Sequence, residues 1–252
     1  MAIIELEGKQ VAYEVLGDGP AIVITPGGRF SKDTPGVRPL AAELADAGFT
    51  AVIWDRPNTG ASDVDFTGDN ESETQAGALA ALLRALGVGP AILVGGSGGA
   101  RISLLAAAHH KGLASGLGML NITGGVYGLL GLAQVYAAGS FGAAWEGGME
   151  AVAALTEWAE VQARNPRNTG LILSQDRDAF LATMERWMQV YCPVPGSIVP
   201  GITDVELRSL DLPVLVFRSG ASDPHHRRET SEAVAAAIPG AHLVEPPWGD
   251  TE

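Results

Sequence analysis

Ala91-Ile92-Leu93-Val94-Gly95-Gly96-Ser97-Gly98-Gly99-Ala100-Arg101 is the stretch that decides how this 252-residue chain is read. An apolar run ends in a serine flanked by glycine pairs, and an alanine- and leucine-rich helical pattern follows from Ala100 to about His109. That order predicts strand, sharp turn, helix. In the spacing Gly95-x-Ser97-x-Gly99, small residues let strand and helix approach closely while the serine takes a strained backbone conformation. Its hydroxyl then stands at the tip of the turn. A phosphate loop of the Walker type is disfavoured because no Lys follows. A dinucleotide-binding turn is disfavoured because the strand lies mid-chain, with no acidic residue ending a strand at the required distance downstream.

Before this stretch, residues 2–6 and 10–16 read as two short strands joined by Glu7-Gly8-Lys9. Ala21 to Thr25 is a buried strand by its β-branched run, closed by Pro26-Gly27-Gly28-Arg29. A helix is expected from Pro39 to Ala47, then a strand from Thr50 to Trp54 closed by Asp55-Arg56-Pro57-Asn58-Thr59-Gly60. Leu79, Leu82, Leu83 and Leu86 share one face of a helix expected from Ser72 to Leu86, with Ser72 and Gln75 as a capping box. Beyond the serine, a strand is expected from Ser115 to Asn121. Short apolar strands alternating with helices imply a mostly parallel sheet covered on both faces.

From Val126 to about Leu210 no convincing strand appears, and helices are expected over Tyr127–Ala138, Met149–Ala163 and Asp178–Tyr191. Trp145, Trp158 and Trp187 fall here, either as this region's own small core or as the lining of a pocket facing Ser97. The sheet pattern resumes with a strand from Pro213 to Phe217, a helix from Glu229 to Ala237 and a last strand from Ala241 to Val244. The division is thus a core of residues 1–125 and 211–252 carrying an insertion of residues 126–210.

Composition narrows the function classes. A formal net charge of -13 disfavours a nucleic-acid or anionic-membrane surface. The single cysteine, Cys192, rules out an intramolecular disulfide and has no thiol-activating motif beside it. Neither a signal peptide nor an apolar run of spanning length is visible, so a cytoplasmic location is the expectation. No His/Cys/Asp cluster has metal-ligand spacing and no cofactor is implied. His109 and His110 read as helix C-terminal residues favoured by the dipole.

Taken together, Pro26-Gly27-Gly28, the Asp55–Asp63 segment, Gly95-x-Ser97-x-Gly99, the helical insertion and Gly220-x-x-Asp223 resemble the α/β-hydrolase superfamily over essentially the whole chain. The resemblance is strongest to its capped esterases, lactonases, peroxidase-like members and carbon-carbon bond hydrolases. It implies an α/β-hydrolase fold with a helical cap, and a serine hydrolase. Ser97 would be the nucleophile, the backbone N–H groups of Gly28 and Gly98 the oxyanion donors, and Asp223 the acid that orients the base. Arg29 and Trp248 would contact a small-molecule substrate, and a homo-oligomer is compatible with the reading.

The base departs from the family pattern. Its histidine belongs after the last strand, where matching Leu243 to Gly249 puts Asp250. A carboxylate is a much weaker base than imidazole unless burial or a second carboxylate raises its pKa. Three readings stay open. Asp250 replaces the base, alone or paired with Asp223; the base has moved to His225 or His226, just after the acid; or ordinary serine hydrolysis is lost in favour of ligand binding or lyase or isomerase chemistry. A C-terminal segment missing from the sequence is a further account. His242 lies on the last strand, too early to reach the serine.

Overall fold

The structure, a computed structural model, describes residues 1–248. Eight strands form one sheet: β1 (Ala2–Leu6), β2 (Lys9–Leu16), β3 (Ala21–Thr25), β4 (Thr50–Trp54), β5 (Ala91–Gly96), β6 (Ala114–Leu120), β7 (Val214–Phe217) and β8 (His242–Val244). Their spatial order is β1-β2-β4-β3-β5-β6-β7-β8, antiparallel at β1, β2 and β4 and parallel from β4 onward. Every strand from β3 to β7 therefore ends on one side of the sheet, where α/β proteins place their ligands.

Period-two alternation divides each central strand between two layers. Ile22, Ile24, Ala51 and Ile53 pack with Ala41 and Leu44 of α1 (Val37–Asp46). Val23, Val52, Trp54 and Leu93 face the larger core with α2 (Glu71–Leu86) and α3 (Gly98–His109). These fully buried runs are the expected signature of a sheet covered on both faces.

The N-terminus of α2 differs from expectation. Asn70, in extended backbone, caps the helix by accepting from the Glu73 amide at 2.8 Å. Ser72 lies inside the helix, buried, and its hydroxyl accepts from Arg101 Nε at 2.8 Å. His109 also does more than end α3. Burial alone would lower its imidazole pKa, but hydrogen bonds to Glu73 and Glu206 at 2.8 and 3.0 Å outweigh that and raise it.

The insertion holds α4 (Gly125–Ala133), a π-helical turn (Gln134–Ala138), α5 (Gly139–Ala153), α6 (Thr156–Arg164), α7 (Arg167–Leu173) and α8 (Arg177–Gln189). The single helix expected from Met149 to Ala163 is two, because Leu155 adopts extended backbone between α5 and α6. Trp158 and Trp187 are buried in the insertion's own core, and Trp145 is exposed against Phe141 and Arg177. The core reaches up into this cluster. Phe66, from the loop after β4, meets Trp158 and Phe180 edge-on at centroid distances of 5.4 and 5.0 Å. Asn168, fully buried, accepts from the Val64 amide and donates to the Ser62 carbonyl, both at 2.9 Å.

The chain rejoins the main core before residue 211. Val199, Ile202, Leu207 and Leu210, around α9 (Asp204–Arg208), pack in the sheet's own cluster. α10 (Arg228–Ala237) then adds Val234 to the same layer.

Candidate active site

The turn after β5 is built by sterics. A Cβ on Gly95 would collide with the Gly99 carbonyl group, and one on Gly99 with the Thr25 carbonyl oxygen, so only glycine lets α3 start this close to β3 and β5. Ser97 sits between them at φ 53°, ψ -117°, a conformation that costs a non-glycine residue about 1–3 kcal/mol. It is held by its own amide, which donates to Leu120 O at 3.0 Å, and by its carbonyl, which accepts from Ala100 and Arg101 at 3.1 and 3.3 Å. The hydroxyl is left free to face the ends of β6 and β7.

The loop after β7 carries two imidazoles, and the structure separates them. His226 Nε2 lies 2.8 Å from Ser97 Oγ, and His226 Nδ1 lies 2.7 Å from Asp223 Oδ2. Asp223 thus orients a histidine only three residues away, in one tight loop whose His225 and His226 amides donate to Asp223 Oδ1 at 2.9 and 3.3 Å. Burial alone would raise the Asp223 pKa, but these hydrogen bonds and the neighbouring His226 hold it below the usual carboxylate value. His225 is half-exposed, with its ring 4.9 Å from that of Tyr127 and its Nδ1 3.8 Å from Asp223 Oδ1, and it borders the site from the side.

The loop fits there because α4 yields space to it. Gly124 and Gly125 precede and begin α4, and Gly128 and Gly131 follow at helical spacing. Side chains on them would run into Thr230, Arg227, the His225 carbonyl oxygen at 2.7 Å and the His225 ring at 3.2 Å, respectively. A glycine stripe on the insertion therefore receives the loop that carries His226.

The opposite wall is the loop after β3. Gly27 presses on the serine turn so tightly that a Cβ would lie 2.6 Å from Gly96 O and 2.7 Å from Ser97 Cβ. Buried Arg56 sets the loop's orientation: its Nη2 donates to the carbonyls of Gly27, Gly28 and Phe30 at 3.2, 3.0 and 3.1 Å. Among the described residues, neither the Gly28 nor the Gly98 amide is taken by a backbone carbonyl. Ser97, Gly28, His226, Thr123, Leu132 and Tyr136 line a cavity of about 190 Å³, in which, among the described residues, the only ionisable groups other than a tyrosine are His225 and His226.

Other expected site residues lie elsewhere. Arg29 is committed to an ion pair with buried Glu71 and stacks over Trp158 at 4.6 Å, so it joins core to insertion and does not line the cavity. Trp248 packs on Phe217 at 5.2 Å, beyond the end of β7, and is not part of the cavity wall. Asp250 lies outside the described residues. Cys192 is exposed, and His242 is on β8.

Two polar wall residues, Thr123 and Tyr136, are not singled out by the sequence. Thr123 Oγ1 lies 3.2 Å from Ser97 Oγ, and its place just past the end of β6 was the available signal. Tyr136 is buried in the π-helical turn, inside a stretch that reads only as helix. Among the described residues no group of His, Cys, Asp or Glu could hold a metal ion, and no helix is long and apolar enough to cross a membrane.

The chain belongs to the alpha/beta hydrolase family, whose model matches residues 22–249. A search of curated proteins finds no match. Among solved structures it is similar to an esterase from Rhodococcus sp. ECU1013, at 24% identity and TM-score 0.61 over 96% of this chain and 88% of that one. It is also similar to the enol-lactonase from Burkholderia xenovorans LB400, at 21% identity and TM-score 0.62 over 98% and 91%. E-2-(acetamidomethylene)succinate hydrolase aligns over 99% and 91%, with 22% identity and TM-score 0.66. These likenesses are to the fold.

Proposed function

We propose that this protein is a serine hydrolase acting on an ester, lactone or activated carbon-carbon bond of a small, largely apolar substrate. The observation that carries the reading is the continuous chain Asp223–His226–Ser97, with contacts of 2.7 and 2.8 Å. The base is His226, three residues after the acid, and no carboxylate substitution is needed to supply one.

In the acylation step Ser97 Oγ bonds to the substrate carbonyl carbon and its proton passes to His226 Nε2. The carbonyl π electrons move onto oxygen, which meets the Gly28 and Gly98 amides. Asp223 keeps Nδ1 protonated and stabilises the imidazolium. Collapse expels the leaving group, which takes the proton from His226, and water repeats the sequence on the acyl-enzyme. The small cavity, with no lysine or arginine in its wall among the described residues, favours a short uncharged acyl portion. A ligand-binding reading would draw support from a serine with no base in reach, and the 2.8 Å contact removes that support.

An active-site phosphonate should label Ser97, and Ser97→Ala should lower ester turnover by about 10³-fold or more, the scale expected for loss of a nucleophile. Unchanged turnover in that variant would sink the reading.

A further inference from the structure

We propose that the Tyr136 hydroxyl is a third donor to the oxyanion, supplied by the insertion; this rests on the serine-hydrolase reading above. Tyr136 is 2% exposed, yet it lines the same cavity as Ser97 and Gly28. A Cβ built on Gly98 would stand 2.6 Å from the phenol oxygen and 3.5 Å from the Gly28 amide nitrogen. The phenol and both oxyanion-loop residues thus border one small space beside the serine. In the resting structure the hydroxyl donates to Gly28 O at 3.2 Å, a long contact to a carbonyl that Arg56 already serves at 3.0 Å. That bond is easily exchanged. An oxyanion appearing at the Gly28 and Gly98 amides is a stronger acceptor than a carbonyl already shared with a guanidinium.

The phenol is also held in place beforehand, which is what makes such a donor effective. Its ring stacks near that of Tyr191, with centroids 6.0 Å apart and planes at 20°. The Arg29 and Arg101 guanidiniums lie 5.1 and 5.4 Å from its centroid. Arg29 also reaches the Tyr136 backbone carbonyl at 3.5 Å. The π-helical turn from Gln134 to Ala138 is the local feature that delivers it, and such turns recur at functional sites. Arg29 and Arg101 lie over this ring and Arg56 donates to the same Gly28 carbonyl as its hydroxyl, so the surroundings favour developing negative charge. Tyr136 keeps its proton throughout and donates only a hydrogen bond.

Tyr136→Phe tests this, because it removes the hydroxyl and leaves the ring contacts. Turnover of an activated acetate or butyrate ester should fall about 10- to 100-fold in kcat, below the full effect of deleting a main oxyanion donor, with KM moving less than about threefold. The preference for that ester over its thiono analogue should shrink by a similar factor, since sulfur accepts hydrogen bonds poorly. A merely structural role would leave that preference untouched. 3-Fluorotyrosine at position 136, a stronger donor of nearly the same shape, should raise kcat and keeps the test open if the Phe variant folds poorly. Wild-type kcat and thiono preference in Tyr136→Phe would overturn the proposal, as would a fall in kcat with the preference intact. If wild type turns over and Ser97→Ala does not, such a result refutes the Tyr136 role alone; a wild type that neither turns over esters nor labels at Ser97 refutes the underlying reading.

Discussion

The turn after β5 and the loop after β7 meet at one hydrogen bond, Ser97 Oγ to His226 Nε2, and each is kept there by glycines of different origin. The serine turn uses its own: Gly95 and Gly99 stand two residues either side of Ser97, and the backbone each would strike belongs to the turn or to the adjacent β3. The loop with Asp223 and His226 depends on glycines roughly a hundred residues upstream in the chain, at the start and along one face of α4. Both place a side chain where a hydrogen bond forms. Only the first carries its own instructions, so the two should respond differently to substitution.

The largest expected difference is within the base loop itself. His226→Ala should reduce kcat/KM by about 10³- to 10⁴-fold, or roughly 4–5.5 kcal/mol of transition-state stabilisation, while His225→Ala stays within about fivefold of wild type. Equal losses in steady-state ester hydrolysis would show that the two imidazoles share the role, and a reversed order would exchange them.

Next in size is the serine turn. Gly99→Ala forces a methyl group into the Thr25 carbonyl, a backbone atom that cannot rotate away. We expect a loss of stability of about 3 kcal/mol or more, in the range of overpacked cores, seen in denaturant unfolding. A variant as stable as wild type would mean that α3 can shift away from β3 without cost.

The smallest effect should come from the glycine stripe along α4. Gly128→Ala gains up to about 1 kcal/mol in helix propensity, yet its Cβ would stand 2.7 Å from the His225 carbonyl oxygen. Turnover should therefore fall about tenfold through displacement of His226, with stability changed by less than about 1 kcal/mol. Unaltered kcat would show that the loop holds its own position through Asp223 and does not need α4.

The same contrast explains what could be read in advance. Strands β3 and β4 announced themselves because a strand buried on both faces needs a run such as Ile22-Val23-Ile24, whatever it packs against. The break at Leu155 and the cap at Asn70 were missed, since each depends on a choice among closely matched local conformations. Arg29 and Trp248 were placed at the site by position alone. In the structure a buried carboxylate, Glu71, claims the first, and the end of β7, through Phe217, claims the second. Tyr136 carried no sequence signal because its hydroxyl reaches Gly28 across 108 residues of chain.

By itself, the sequence determined that a serine stands at a glycine-flanked strand–helix turn on a mostly parallel sheet, because steric exclusion between near neighbours is written in the local residues. It also narrowed the base to a few candidates without choosing among them. Which of the two neighbouring imidazoles meets Ser97 was left to tertiary structure. Which nitrogen reaches Ser97 depends on the path of the Asp223–His226 loop, and that path is set by the space left along α4, by the carboxylate that fixes the imidazole, and by the registration of β7 beside β6.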